Sequence, residues 1–543
     1  MAFPKSKRRK ANEQRLTGPG AISDDTLTKL GLDRPTWAAM VSEFLGTLVW
    51  PGDPAYDADR QEANPAFQAF PLLIAYCEAF SDVALCLQWA HQYDWWVACR
   101  AGGHSTAGYS VNNGLVIDVS HIAYVSVNPT AKTAAVGAGT SFALLNAQLN
   151  MFNLHVPGGG CMEVCVGGYM QGGGYGFTSR EFGIHSDNVV SVLVMLADGA
   201  IVEASPAVNA DLFWAVRGGT GNNFGVLLEI RYRLHELGPL WGFGLTWTAT
   251  TDWARALQIM QQSFMKTGPA KLGYMTIITT PLAFITTPEA VTTTPQAFPP
   301  WPLGPPTLMM RGVFNGSREE GLALLQPFFD STQPWLQCDR VASYNELDQY
   351  LLETPEGIPA LPERQGSDWK EDKQAGYVAK PLSLADWQGI VDYYLTSTAM
   401  GNTVVIEPYG GAINSYPVAD SAFIHRDVDF DFFVDVFWSE EADRQAQVAW
   451  LDGYMTLMQP YFNGHVYQNY PRRTLTNYRW MYWGTAFDTL LRVKQKYDPA
   501  NFFRFQQSIA PWPPGTPEGP RDTSKPMFTD AAIVYLSRSA PTR

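Results

Sequence analysis

"VPGGGCMEVCVGGYMQGGGYGFTSREFGIHSDNVV" runs from Val156 to Val190 and contains ten glycines. So many glycines predict a series of tight turns, because a residue without a Cβ adopts backbone conformations that other residues avoid. Backbone N–H groups in such turns can approach a ligand closely and point at its phosphates or at a polar ring. The stretch has neither the arrangement of a Rossmann fingerprint nor the GK[ST] end of a Walker loop. It therefore predicts a large anionic cofactor held by extended backbone loops.

Two further glycine clusters lie before and after this stretch. "RAGGHSTAGYS" (Arg100–Ser110) places His104 behind two glycines, and "DLFWAVRGGTGNNFGVLLEIRYRLH" (Asp211–His235) ends in a predicted strand. Each cluster alone could be a loop without special function, but three together favour a ligand site. A histidine in such a turn could be a core residue, a base, a metal ligand or an attachment point for a cofactor, and the cluster alone leaves these roles open.

Length and composition limit the class of protein. A chain of 543 residues and 60.2 kDa is expected to form two or three domains. A formal net charge of -14 argues against nucleic acid or an anionic membrane as the main partner. No apolar run reaches the roughly 18 residues that a membrane-spanning helix needs. We therefore expect a soluble protein that acts on a small molecule and binds neither nucleic acid nor membrane.

The cysteines and the termini suggest location and exclude some site types. Six cysteines, none of them in a CxxC pair, predict neither a disulfide framework nor a zinc site, and we expect no metal. The basic N-terminus "MAFPKSKRRKANEQRL" is followed by no apolar segment, so no secretory signal peptide is predicted. A cytoplasmic location is expected, with secretion by another route left open. "KSKRRK" could be a nuclear signal, but a solvated tail is the favoured interpretation.

The distribution of apolar runs predicts the organisation of the chain. Short apolar runs alternate with glycine turns from about Asn64 to His235, which predicts an α+β region. A second α/β region is predicted from about Gly238 to Tyr470. Two proline-rich segments, residues 286–306 and 353–373, interrupt it as predicted surface loops or lids, and the proline-rich C-terminal tail is predicted to lack regular structure.

The three glycine clusters and the C-terminal "YDPANFFRFQQSI" together resemble the berberine-bridge-enzyme-like FAD-linked oxidases of the vanillyl-alcohol-oxidase superfamily. The resemblance extends over roughly residues 48–509. It implies an α+β fold with a two-part PCMH-type FAD-binding domain and a substrate domain whose antiparallel sheet is covered by helices. The implied division is an N-terminal extension (1–47), the FAD-binding domain (48–237), the substrate-binding domain (238–475) and a C-terminal segment returning to the FAD domain (476–543).

The same resemblance implies how FAD is held. His104 matches the histidine that is linked to the flavin methyl group, and Cys161 matches the cysteine linked to the flavin carbon 6 in bicovalent members. Val164 matches a small residue typical of members that react with dioxygen, which favours an oxidase that releases hydrogen peroxide; a strand valine that only packs is the alternative. Cys165 is assigned to packing. The other cofactor contacts implied are Arg100, Gly102, Gly103, Ser105, Gly108, Gly167, Gly168, Gly172, Gly173, Tyr175, Gly176, Asn223 and Asn501.

Candidate catalytic residues lie near the end of the predicted substrate domain. "GHVYQNYPRRTL" contains Tyr467 and Tyr470 and resembles the Tyr-x-Asn-Tyr segment of oligosaccharide oxidases, in which the second tyrosine is the base. Because a free tyrosine has a pKa near 10, it needs a depressed pKa or a partner at neutral pH. Arg472 and Arg473 could supply positive charge, and Glu407 aligns with an acidic residue near that base. Two purely structural tyrosines are the alternative.

Three functions are compatible with these residues. The first is an FAD-dependent oxidase that takes hydride from a hydroxyl-bearing, sugar-like, glycosylated or polycyclic substrate and passes electrons to O2. The second is an intracellular natural-product oxidase that catalyses oxidative cyclisation or aromatisation, and the third is a non-catalytic flavin-binding protein. Two departures from the family, Tyr169 in place of a histidine and Ala486 in place of an asparagine, affect the predicted tuning of the flavin potential. A monomer is expected.

Overall fold

The structure is a computed structural model that describes residues 21–280, 306–349, 369–397, 399 and 401–510. Nearly all of the two predicted proline-rich loops, and the whole proline-rich tail, lie outside the described residues. The second of these loops was expected to reach Lys373, but a strand already begins at Lys370 because the residues from there onward pair in a sheet.

A four-stranded sheet carries the first glycine cluster. Its order is β1-β2-β4-β3, in which β2, β4 and β3 are parallel and β1 is antiparallel to β2. Its strands are β1 (Thr47–Val49), β2 (Leu73–Tyr76), β3 (Val97–Arg100) and β4 (Leu115–Asp118). Arg100 and Asp118 are register partners at the ends of β3 and β4, and the Arg100 Nε donates a hydrogen bond to the Asp118 carboxylate. This buried ion pair is where the chain turns into the His104 loop.

A five-stranded antiparallel sheet, in the order β5-β6-β10-β8-β9, lies beside the second and third glycine clusters. Its strands are β5 (Val125–Asn128), β6 (Thr133–Gly137), β8 (Val189–Met195), β9 (Ile201–Ala204) and β10 (Val226–Arg233). A short two-stranded ladder joins β7 (Leu154–His155) to β11 (His235–Glu236). One hydrophobic core spans the four- and five-stranded sheets, so these two sheets form one body.

A seven-stranded antiparallel sheet occupies the second half of the chain in the order β15-β12-β14-β13-β17-β18-β16. Its strands are β12 (Leu240–Trp247), β13 (Leu272–Thr279), β14 (Thr307–Phe314), β15 (Trp335–Ala342), β16 (Lys370–Val378), β17 (Thr403–Pro408) and β18 (Phe430–Trp438). All residues of β17 and β18 are buried. The even-numbered side chains, such as Ile406 and Phe432, belong to a core shared with helices, whereas Val405 and Phe433 belong to the core of the other two sheets. Both faces of this sheet are therefore covered.

Helices cover the far face of the seven-stranded sheet and the outside of the other two. In chain order they are α1 (Asp24–Leu30), α2 (Arg34–Glu43), α3 (Tyr56–Asp59), α4 (Phe80–Tyr93), α5 (Phe142–Asn150), α6 (Val166–Gln171), α7 (Ser179–Phe182), α8 (Ala210–Val216), α9 (Trp253–Phe264), α10 (Arg318–Ser331), α11 (Tyr344–Leu347), α12 (Leu384–Tyr394), α13 (Ala412–Ser415), α14 (Glu441–Met458), α15 (Tyr478–Trp483) and α16 (Phe487–Tyr497). Helices α9, α12 and α14 pack against one another, and α14 packs on β18. None of the helices in the described part of the chain is long and apolar enough to cross a bilayer.

The last helix returns to the first half of the molecule. Phe487, Leu490 and Val493 of α16 belong to the core of the four- and five-stranded sheets. Lys494 Nζ donates hydrogen bonds to the carbonyl oxygens of Asn223 and Phe503, each at 2.6 Å. The segment that contains Tyr467 and Tyr470 precedes this helix. It lies between the seven-stranded sheet and the first half of the chain, because Tyr470 bonds to Glu407 of β17 and Tyr467 bonds to Gly174.

Candidate functional site

A cavity of about 370 Å³ lies between the glycine clusters and the seven-stranded sheet. Most of the predicted site residues line it. Those on its wall are Arg100, Gly102, Gly103, His104, Ser105, Cys161, Val164, Gly167, Gly168, Tyr175, Gly176, Glu407, Tyr467 and Tyr470. The cavity thus brings the proposed flavin contacts and the proposed catalytic residues to one place.

The His104 loop is shaped by its backbone. Gly103 has a φ of 70°, in the left-handed region that favours glycine. Its carbonyl oxygen accepts a hydrogen bond from the backbone N–H of Ala63 at 2.9 Å, and Ser105 Oγ accepts one from the backbone N–H of Tyr109 at 3.0 Å. These bonds hold the loop open toward the cavity and place His104 on its wall.

The second glycine cluster forms a wall made mainly of backbone. A Cβ on Gly176 would lie 1.7 Å from the carbonyl oxygen of Gly158, so two turns of the cluster touch there. A Cβ on Gly168 would meet nothing within 4 Å, so this glycine leaves open space at the cavity wall. Cys165 is buried, its Sγ lies 3.2 Å from the carbonyl oxygen of Gly139, and burial raises its pKa to about 12. Cys165 is also on the cavity wall, and its assignment to packing stays a prediction.

Five predicted cofactor contacts are not on the cavity wall: Gly108, Gly172, Gly173, Asn223 and Asn501. The three glycines are close to other side chains, and a Cβ on Gly172 would lie 1.9 Å from the Asn469 Oδ1. The side chain of Asn223 is used within the fold, since its Nδ2 donates to the carbonyl oxygen of Gly219 at 3.0 Å and its Oδ1 accepts from Ile509 N–H at 2.8 Å. Asn501 forms a turn with a φ of 51°. In the structure these residues shape the loops.

Sequence reasoning missed other residues of the cavity wall. Among them are Tyr109, Ser110, Gly159, Gly160, Gln171, Thr220, Gly221, Asn222, Lys373, Thr403, Val405, Phe433, Asp435, Phe437, Phe505 and Gln507. The loop residues are neighbours of predicted ones and could have been found by widening each motif. The strand residues are at odd-numbered positions of β16, β17 and β18, which places them on one face of the sheet. The sequence pattern alone does not tell which of the two faces lines the cavity.

Tyr470 and Glu407 form a hydrogen bond at the cavity. The Tyr470 hydroxyl donates to Glu407 Oε1 at 3.1 Å. Burial raises the pKa of Glu407 to about 8, although the Tyr470 hydrogen bond and Lys373 lower it in part. Burial, and then the charge of Glu407, raise the pKa of Tyr470. The pKa of Tyr470 is thus raised rather than depressed, and Glu407 is the partner that its hydroxyl has.

The positive charge near Tyr470 comes from a different residue than expected. Arg472 Nη2 forms an ion pair with Asp372 Oδ2 at 2.6 Å, and Arg473 Nε donates a hydrogen bond to the carbonyl oxygen of Ala107 at 2.6 Å. The expectation that these two arginines supply positive charge to Tyr470 is therefore not met. Instead, Lys373 Nζ lies 4.6 Å from the centroid of the Tyr470 ring. Lys373 is on β16, far from Tyr470 in sequence, which is why the motif did not indicate it.

Tyr467 has a different set of contacts. Its oxygen accepts hydrogen bonds from the backbone N–H groups of Gly174 at 2.9 Å and Tyr175 at 3.2 Å, and from Asn469 Nδ2 at 2.9 Å. Tyr169, at the position of the expected histidine, also lines the cavity, and its hydroxyl donates to the carbonyl oxygen of Tyr175. The Gly174–Tyr175 turn is thus connected to both tyrosines.

The residues of the cavity fit FAD. The wall on the glycine side presents small residues and backbone groups, and Gly168 leaves room where any side chain would project into open space. His104 and Cys161, the two nucleophilic side chains expected near the flavin, are both on the wall. Backbone donors of this kind suit a phosphate-bearing cofactor.

Comparison with known proteins agrees with this geometry. Residues 71–205 match the FAD binding domain family, and residues 466–510 match the berberine and berberine-like family. The chain is similar to the uncharacterized FAD-linked oxidoreductase YgaK of Bacillus subtilis, at 26% identity over 87% of this chain and 98% of that protein. It is also similar to a carbohydrate oxidase of Microdochium nivale, at 25% identity over 85% of this chain and 92% of that protein.

Solved structures show the same fold. BBE-like 1 of Physcomitrella patens superposes with a TM-score of 0.75 at 25% identity, covering 90% of this chain and 98% of that one. The α+β architecture predicted from the sequence is confirmed, with an FAD-binding part and a large antiparallel sheet. Both family matches contain residues of the cavity wall, and the fold is that of BBE-like 1. This protein therefore belongs to the berberine-bridge-enzyme-like family of FAD-linked oxidoreductases.

Proposed function

We propose that the protein is an oxidase that removes hydride from the hydroxyl-bearing carbon of a sugar-like, glycosylated or polycyclic small molecule. The observation that carries this proposal is the 3.1 Å hydrogen bond between Tyr470 and Glu407 on the cavity wall. FAD held at the glycine clusters would supply the hydride acceptor, and O2 would be the final oxidant, released as hydrogen peroxide. His104 and Cys161 are the proposed points of covalent attachment.

Tyr470 is the proposed base. As hydride leaves the carbon, the Tyr470 oxygen takes the hydroxyl proton of the substrate and passes its own proton to Glu407 Oε1, so that a carbonyl product forms. Glu407 can accept that proton only in its ionised form. Lys373 adds positive charge beside the Tyr470 ring, which favours proton transfer from Tyr470 by stabilising negative charge there.

A second candidate is oxidative cyclisation or aromatisation of a polycyclic compound. Val405, Phe433 and Phe437 are apolar side chains on the same wall. Such a surface favours a ring system that buries carbon rather than one covered with hydroxyl groups. Screening sugars, glycosylated compounds and polyphenols for peroxide release separates the two candidates.

Tyr470→Phe tests the proposed base. With a substrate found in that screen, the limiting rate of anaerobic flavin reduction in a stopped-flow instrument should fall by about 10²- to 10⁴-fold. Tyr124→Phe is the matched control, since Tyr124 is at the surface, bonded to Glu229. A limiting rate for Tyr470→Phe within about threefold of the parent would refute the assignment, because a merely positional tyrosine alters apparent affinity more than the limiting rate.

Val164 is proposed to leave room for dioxygen. Substrate-reduced protein should reoxidise rapidly in air, and Val164→Leu should slow reoxidation without slowing flavin reduction, since the added carbon narrows the approach. Equal reoxidation rates in the two proteins would remove this role from Val164.

A further inference from the structure

The hydroxyls of Tyr467 and Tyr470 are hydrogen-bonded to the protein in opposite ways. Both line it, and their ring centroids are 4.9 Å apart. A phenol has one proton to donate and lone pairs with which to accept. The hydrogen bonds that each hydroxyl forms within the protein therefore determine whether it can donate to a ligand or accept from one.

Tyr470 uses its proton within the protein. Its hydroxyl donates to Glu407 Oε1, which leaves the lone pairs of the Tyr470 oxygen available to a ligand in the cavity that Tyr470 lines. An oxygen with free lone pairs accepts a proton or a hydrogen bond from a substrate hydroxyl. This arrangement suits the proposed base.

Tyr467 uses its lone pairs within the protein. Three N–H donors, those of Gly174, Tyr175 and the Asn469 amide, point at its oxygen at 2.9–3.2 Å. The Asn469 Nδ2 also donates to the carbonyl oxygen of Tyr169 at 2.9 Å, which fixes the orientation of that amide. In the described part of the chain, no acceptor receives the Tyr467 proton. Since the accepting side of the oxygen is occupied, the O–H group is directed away from these three donors.

We propose that Tyr467 is a catalytic hydrogen-bond donor whose O–H group binds the substrate oxygen and stabilises the negative charge that develops there while Tyr470 removes the hydroxyl proton. This inference rests on the proposed oxidation of a hydroxyl-bearing carbon. The Tyr467 proton is not transferred: hydride goes to FAD, the hydroxyl proton goes to Tyr470, and the substrate oxygen becomes a carbonyl oxygen. A donor held in place before the reaction stabilises developing charge without reorganisation.

The three N–H donors also strengthen Tyr467 as a donor. Each of them withdraws electron density from the phenol oxygen, so its O–H becomes a better hydrogen-bond donor. Two of the three are backbone groups of the second glycine cluster, at Gly174 and Tyr175, so the Tyr467 hydroxyl is fixed relative to that cluster. Tyr467 itself is almost fully buried, at 2% exposure, which keeps competing water away from it.

Site-specific 3-fluorotyrosine tests the role of Tyr467 without removing its hydroxyl. Fluorine makes the phenol more acidic, and a phenol that only donates therefore becomes a stronger hydrogen-bond donor. With fluorotyrosine at 467 the limiting rate of anaerobic flavin reduction should rise. A fall at 467, or no change there, overturns the proposal. Fluorotyrosine at position 124 is the control and should leave the rate unchanged.

The substitution Tyr467→Phe measures how much the Tyr467 hydroxyl contributes to the reduction rate. Tyr467→Phe should lower the limiting reduction rate by about 10²- to 10³-fold, as loss of one oxyanion donor does. It should also weaken binding of the carbonyl product, measured as a change in the visible flavin spectrum, while the rise of the rate with pH is kept. A rate within about threefold of the parent, or unchanged product affinity, overturns the inference. If the parent reduces its flavin with no hydroxyl-bearing compound, the proposed function itself fails; if only the Tyr467 tests fail, the proposed function stands.

Discussion

The two walls of the cavity are built in different ways. The glycine wall, formed by residues 100–110 and 156–176, faces the cavity largely through small residues and backbone. The sheet wall, formed by odd-numbered residues of β16, β17 and β18, faces it through side chains such as Lys373, Val405 and Phe433. The first wall suits a cofactor that is the same throughout a family, and the second can be changed residue by residue without altering the backbone.

This difference has a consequence for specificity. A backbone wall tolerates few substitutions, because a Cβ collides with neighbouring backbone, as at Gly176. A strand residue can be exchanged while its ladder hydrogen bonds remain, because those bonds use only the main chain. Substrate choice is therefore expected to lie in the sheet wall, and cofactor retention in the glycine wall.

The largest expected effect concerns flavin retention by the glycine wall. His104→Ala and Cys161→Ala should each leave one link, so acid precipitation should leave FAD with the protein in either single variant. In the double variant all FAD should be released into the supernatant, measured by its absorbance. Cys165→Ala is the control and should retain FAD. Complete release from the unmodified protein would refute both attachments.

Two alanine substitutions should distinguish a glycine of that wall that is needed for packing from a glycine that leaves space for the cofactor. Gly176→Ala places a Cβ 1.7 Å from the Gly158 carbonyl oxygen and should destabilise the fold by about 3 kcal/mol, seen as a lower melting temperature. Gly168→Ala, in α6, meets nothing within 4 Å and should change stability by no more than about 1 kcal/mol, in the stabilising direction. Its methyl group should nevertheless lower the ratio of bound flavin to protein. Equal melting temperatures for the two variants would contradict this division.

The smallest effect is a pH dependence that belongs to the sheet wall. Because burial raises the pKa of Glu407 to about 8 and only its ionised form accepts the Tyr470 proton, the reduction rate should rise with pH. Below pH 8 the limiting rate should increase by about tenfold per pH unit, and above it the rate should level off. Glu407→Gln should give a slower rate without this rise. A rate that falls between pH 6 and 8 in the parent would show that Glu407 acts as an acid instead.

The glycine motifs contain residues that face the cavity and residues that do not. Gly103 and Gly168 lie on the cavity wall as expected, because short glycine motifs form local turns whose geometry depends on neighbours in the chain. Gly172 and Asn223 belong to the same motifs, yet their space and hydrogen bonds are taken by other parts of the fold. Motif membership alone does not distinguish a residue that faces a ligand from one that supports the loop.

The sequence by itself indicated the family and the FAD cofactor, because its three glycine clusters and its C-terminal motif resemble those of FAD-linked oxidases, and its short apolar runs predicted an α+β region. It also indicated Tyr470 and Glu407 as a possible pair. Only the tertiary structure decided that they are 3.1 Å apart, that Lys373 rather than Arg472 lies beside the Tyr470 ring, and that the Tyr467 oxygen accepts from three N–H groups. These contacts join residues tens to hundreds of positions apart, and strand register and packing set them, which no local pattern encodes.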